Sequence, residues 1–127
     1  MNEGSSTPDV DRFVVDFIDS VPHLEALLLL WRSRPRRWSI AELASALYLQ
    51  SRKADAIANE LVRAGLASAT SDGLGYVGDN AEQDQLISAV DETYRRETVR
   101  LSTMLHARGS RALRDFAESF QLKKKKE

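Results

Sequence analysis

The sequence predicts a mainly α-helical domain with one small β-hairpin, and three observations carry that reading. Apolar residues recur at helical spacing through most of the chain. The period turns to alternation only after Gly65, where Leu66-Ala67-Ser68-Ala69-Thr70 and Gly75-Tyr76-Val77-Gly78 flank the turn residues Ser71-Asp72-Gly73. Hydrophobic residues make up 43% and charged residues 29% of the 127, the balance of one globular domain.

Residues 1–8, polar and rich in Gly and Ser, are expected to be disordered. Residues 9–20 read as an amphipathic helix, because Val10, Phe13, Val14, Phe17 and Ile18 fall on one face. Ser20 can cap a second helix, with Pro22 tolerated in its first turn. That helix is apolar almost all round from Leu24 to Trp31, so it is expected to be covered on several sides. It must end near Arg34, since Pro35 disfavours a helical residue before it.

Trp38-Ser39-Ile40 reads as a short strand leading into a third helix, which Ser39 and Glu42 start as a capping box. Ile40, Leu43, Ala44 and Leu47 form its buried stripe. Leu49-Gln50-Ser51 makes a turn, and Ser51 can cap a fourth helix from Arg52 to Ala64 with Ala54, Ile57, Ala58 and Leu61 inward. Gly65 stands where a left-handed residue closes a helix. After the hairpin, Asp79 or Asn80 caps a helix running to about Ala107, roughly 35 Å long at the standard rise. Gly109 stops it, Ser110 caps a last short helix, and residues 123–127 are a basic tail.

The formal net charge is −1, which argues against a broadly basic nucleic-acid binder, but the charge is unevenly spread. Residues 1–20 carry five acids against Arg12 alone, whereas residues 80–127 carry ten bases against eight acids. The absence of cysteine excludes disulfides and thiolate sites and fits a reducing cytoplasm. The apolar run Ala26–Trp31 falls far short of the roughly 20 residues of a membrane span, and the first residues lack the pattern of a signal peptide.

The order helix, helix, short strand, helix, helix, hairpin, long helix, short helix outlines a winged helix-turn-helix over residues 21–79. An N-terminal helix precedes it and a long plus a short helix follow, over residues 80–122. On Ile40-Ala41-Glu42-Leu43-Ala44, Leu61-Val62-Arg63-Ala64-Gly65-Leu66 and the hairpin after them, residues 24–78 resemble the winged-helix domains of small bacterial transcription regulators of the MarR and PadR types. The resemblance covers a little under half the chain. It implies a dimeric DNA-binding regulator whose fourth helix enters the major groove. The outward residues of that helix then become candidate contacts: Arg52, Asn59 and Arg63 for bases, Ser51 and Lys53 for phosphates.

Arg32, Arg34, Arg36 and Arg37 beside Trp38 form the densest arginine cluster. Arg36 and Arg37 are candidate phosphate contacts; the other reading is a solvated loop with Trp38 in the core. The wing tip, residues 71–75, holds Asp72 and no base, unlike wings that grip DNA. Either the wing does not touch DNA or the domain is a protein-interaction module with a protein partner instead. Outside the winged core, Phe13 and Phe17, the stripe Ile87, Tyr94, Leu101 and Leu105, and Phe116 with Phe120 are candidate dimerisation contacts for a homodimer.

No nucleophile, base and orienting group form a catalytic set, so no enzyme activity and no cofactor are expected. His23 and His106 lack metal-ligand spacing, and no metal is expected. Gly73-x-Gly75-x-x-Gly78 matches a dinucleotide fingerprint only as a string, because it lies inside a hairpin rather than between a strand and a helix.

Overall fold

The computed structural model describes residues 3–78 and 80–107, with side chains from Asp9 onward. Its elements in chain order are α1 (Glu3–Phe17), α2 (Val21–Ser33), α3 (Ile40–Leu47), α4 (Ser51–Arg63), β1 (Ala67–Thr70), β2 (Gly73–Tyr76) and α5 (Ala81–Arg96). Helical residues resume over 98–107. The mainly α reading with one hairpin is therefore the observed fold class.

α2 is the centre of the domain. Ser20 caps it, its hydroxyl accepting from the His23 amide, and Arg34 leaves it in the extended conformation that Pro35 demands. Leu24, Ala26, Leu27, Leu28 and Leu30 are all buried. They face α3, α4, α5 and β2, which explains the almost continuous apolar run. α3 starts on both halves of the capping box, Glu42 N–H to Ser39 Oγ and Ser39 N–H to Glu42 Oε1, each 3.0 Å.

α4 closes with a paired C-terminal motif. The Leu66 amide donates to the Leu61 carbonyl and the Gly65 amide to that of Val62, both at 3.0 Å, with Gly65 left-handed at φ 80°. Leu61 and Leu66 are both buried beneath the turn, so the glycine fixes where the hairpin leaves the helix.

α3 ends in the same way, but its left-handed residue is Tyr48 (φ 57°), whose side chain is 95% exposed. A left-handed L-residue costs roughly 1–2 kcal/mol, and this one recovers little of that through packing. Tyr48→Gly is therefore expected to stabilise the fold by about 0.5–1 kcal/mol, read as a raised urea midpoint at unchanged slope.

The hairpin pairs Ala67 with Tyr76 through to Thr70 with Gly73, so only Ser71 and Asp72 form the tip. The return strand thus begins at Gly73, two residues earlier than the glycine spacing suggested. Gly73 is needed there because Trp38 bonds Leu74 in both directions, its amide to the Leu74 carbonyl at 2.9 Å and its carbonyl to the Leu74 amide at 2.8 Å. The expected strand at Trp38 is a single antiparallel bridge on β2.

Three further expectations change. α1 is helical from Glu3, so residues 3–8, expected to be disordered, continue the amphipathic helix toward the N-terminus. Gln50, not Ser51, is the N-cap of α4 and makes no side-chain capping bond; Ser51 is already the first helical residue. The long C-terminal helix is broken at Glu97 (φ −129°, ψ 47°), where the Thr98 hydroxyl donates to the Tyr94 carbonyl. Asn80 caps α5, its side chain accepting from the Gln83 amide at 3.0 Å.

The break at Glu97 brings Arg100 onto Asp11 of α1 at 3.0 and 3.2 Å and onto Glu97 at 2.5 Å. These carboxylates, Asp11 first, push the guanidinium pKa above its ordinary value. The last short helix and the basic tail lie outside the described residues.

Candidate nucleic-acid interface

α3, the turn at Tyr48-Leu49-Gln50, and α4 form the helix-turn-helix. Ala54, Ile57, Ala58 and Leu61 bury one side of α4, which turns Ser51, Arg52, Lys53, Asp55, Ala56, Asn59, Glu60 and Arg63 outward. Arg52, Ala56, Asn59 and Arg63 follow at i, i+4, i+7 and i+11 and so share a single outward stripe, about 16 Å long at 1.5 Å per residue. Ala56 in its middle leaves room for a surface to approach closely. The first-turn amides receive no side-chain cap, and Ser51, Arg52 and Lys53 cluster around this positive end of the helix dipole.

Tyr48 stands fully exposed beside that end, and sequence patterning did not single it out. The signal available was a bulky residue at the helix-closing position, where glycine or asparagine is usual. Its phenol is of the type that contacts phosphate.

The other two candidate DNA contacts are occupied elsewhere. Arg37 reaches beneath the hairpin, donating to the Ser68 carbonyl at 3.0 Å, the Gly73 carbonyl at 2.9 Å and Ser68 Oγ at 2.9 Å. Arg36 lies 3.6 Å over the Trp38 ring and 4.0 Å from Glu42. Arg34 sits over Trp31 and donates to its carbonyl at 2.6 Å, while Arg32 pairs with buried Asp91. Trp38 itself is a core residue, its indole N–H donating to Ser33 Oγ at 3.0 Å. Within the cluster, Arg32 ties α2 to α5 and Arg37 ties the loop to the hairpin, while Arg36 packs on Trp38 with its side chain 52% exposed.

Asp72 is the charged residue of the two-residue wing tip. A shallow groove between α4 and the hairpin is lined by Asp55, Asn59 and Val62 on one side and by Thr70 and Gly73 on the other. Asp55 and Glu60 place negative charge beside the arginine stripe. Glu60 is engaged by His23 Nε2 from α2, and His23 Nδ1 lies 2.7 Å from Ser20 Oγ. Because 37 residues separate His23 from Glu60, no local spacing could have shown this contact.

Of the candidate dimerisation residues, Phe13, Ile87, Leu101 and Leu105 are buried within one copy. Phe13 lies on α1, Ile87 on α5 and the two leucines on the helical residues 98–107, so all three helices contribute to the core of one copy. Tyr94 is half-buried and donates to Glu25 at 3.0 Å; burial first, and then that bond, push its phenol pKa above the ordinary value. Phe17 stays half exposed, its ring 5.2 Å from that of Phe13, and Val15 and Val99 are exposed near it in sequence or across the Asp11–Arg100 pair. Phe116 and Phe120 lie outside the described residues. No helix among the described residues is long and apolar enough to cross a membrane.

No protein-family model and no curated protein matches the sequence. Solved structures do match the fold. A MarR family protein of Mycobacterium tuberculosis, Rv2887, superposes with a TM-score of 0.55 at 19% identity, over 93% of this chain and 86% of its own. The multiple antibiotic-resistance repressor (MarR) of Listeria monocytogenes superposes at 0.50 and 16% identity, over 94% and 86%. The likeness extends across the flanking helices as well as the winged core, so the chain has the MarR-type winged-helix fold.

Proposed function

We propose that the protein is a transcription regulator that binds double-stranded DNA as a homodimer, with α4 in the major groove. The observation that carries this is the outward stripe Arg52–Asn59–Arg63, which ends at an uncapped, basic helix N-terminus beside Tyr48. Arginine bonds guanine bidentately and asparagine suits adenine, while Ser51, Lys53 and Tyr48 suit the flanking phosphates. The second copy docks through α1 and the helical residues 98–107, where Phe17 (50% exposed) and Val99 (78%) are the accessible apolar groups. Sedimentation equilibrium is expected to give twice the chain mass of 14.2 kDa, and Phe17→Glu to shift it toward one chain mass.

A mobility-shift titration tests the DNA reading. Arg63→Ala is expected to weaken binding by about 1–3 kcal/mol, and Lys53→Ala to weaken it uniformly across sequences and lower the salt slope by about one. Tyr48→Gly should bind more weakly although it folds more stably.

One observation favours a second reading, a protein-interaction module. The wing tip carries Asp72 and no base, and Arg37 is bound to the hairpin backbone. Co-purification of a partner that survives Arg52→Glu and Arg63→Glu, with no DNA shift, would support it.

A further inference from the structure

Asp19, His23 and Glu60 each bring one ligand atom to within 4.8 Å of the others. We infer that these three residues form a site for a divalent transition-metal ion of the zinc type, joining α2 to the proposed recognition helix. One imidazole with two carboxylates is a mixed nitrogen and oxygen donor set, which suits zinc and its first-row neighbours rather than magnesium or calcium. At metal–ligand distances of about 2.0–2.2 Å, the donors of a tetrahedral site stand roughly 3.3–3.6 Å apart. Both carboxylates are at the surface, so small side-chain rotations close the set around an ion and leave its fourth position for water.

The imidazole is already oriented for this role. His23 is buried, and its Nδ1 faces Ser20 Oγ at 2.7 Å, an oxygen that also caps α2. A metal-binding histidine commonly donates its other ring N–H to such an oxygen, which fixes the ring and leaves Nε2 to the ion. Nε2 now bonds Glu60 directly. The ion takes the place of that direct contact and bridges Nε2 to the Glu60 carboxylate.

The consequence for DNA rests on the proposed function. Glu60 lies one turn before Arg63, on the edge of the stripe that would face phosphates. A divalent cation balances the charge of Asp19 and Glu60, removes that repulsion and ties α4 to the N-terminus of α2. DNA affinity should therefore rise when the ion is bound.

The test titrates zinc chloride alone into the metal-free full chain against a competing chelating dye, without DNA. One zinc per chain is expected. Glu60→Gln and Asp19→Asn should each weaken it at least tenfold, while His106→Ala leaves it unchanged. Cobalt(II) in place of zinc should give the visible absorption of a tetrahedral site. The two carboxylate variants alter surface side chains, and unchanged melting temperatures confirm that they fold. Zinc uptake that is equal in wild type, Glu60→Gln and Asp19→Asn, or absent at about 100 μM metal, would overturn the site. A separate mobility-shift arm reads regulation: zinc should tighten DNA binding several-fold in wild type and not in Glu60→Gln. If the chain takes up zinc but shifts no DNA with or without it, the DNA reading fails and the metal site stands.

Discussion

Gly73→Ala is expected to destabilise the protein by about 3 kcal/mol, from backbone strain and a clash that has nowhere to relax. The glycine has φ 119°, and a Cβ built there lies 2.7 Å from the Trp38 carbonyl oxygen. That oxygen is held by the Leu74 amide, and the Trp38 amide by the Leu74 carbonyl, so neither backbone can withdraw without losing both bonds. Gly65→Ala provides the control. It also has positive φ, at 80°, but meets nothing within 4 Å, so only the conformational cost of about 1 kcal/mol remains. Urea unfolding separates the two: with a slope of about 1–3 kcal/mol per molar, the Gly73 variant should lose a molar or more of midpoint. Equal midpoint shifts for both variants would show that the Trp38–Leu74 bridge does not hold the hairpin.

Arg32→Met carries the second large effect, about 2–3 kcal/mol, and its reversal is more informative than its size. The Asp91 side chain is 7% exposed and pairs with Arg32 of α2 and, at 3.2 Å, with Arg95. Removing Arg32 leaves a buried carboxylate with one partner, the costly half of a buried pair. Removing Asp91 instead leaves two arginines that already reach solvent, at 42% and 64% exposure, and costs less. The double variant Arg32→Met/Asp91→Leu should recover most of the loss, because apolar groups of similar size replace an ion pair at little net cost. A double-mutant cycle by thermal or urea unfolding measures this. Simple additivity of the two single changes would contradict the assigned pairing.

These two sites also show what the sequence could and could not reveal. Local rules were enough for the helix-turn-helix. The Ser39–Glu42 box, Pro35 after α2 and left-handed Gly65 each act within a few residues and are present as read. The burial of α2 followed from composition alone, since a helix apolar on every side has to be covered. Contacts between distant segments were not legible. Arg37 looked like a free base because its acceptors, Ser68 and Gly73, lie 31 and 36 residues away. The apolar stripe of the C-terminal helix looked like a dimer surface, but the break at Glu97 turns Leu101 and Leu105 inward, where they are buried. The outward side of α4 is exposed as its helical spacing implies, whereas Tyr48, set between Leu47 and Leu49 at the turn, was passed over.

In this MarR-type fold α4 is the element we propose to read DNA, and a salt-resolved binding titration measures that contact. Fluorescence anisotropy of a labelled duplex, titrated at about 50 and 200 mM salt, should give affinity that falls linearly in log–log terms as counterions are released. Arg52→Glu with Arg63→Glu should abolish binding while leaving the melting temperature intact, since both side chains are exposed. Even non-specific binders reach dissociation constants of about 10⁻⁴–10⁻⁶ M. No anisotropy change at tens of micromolar protein and low salt, or equal binding by the charge-reversed variant, would contradict the claim.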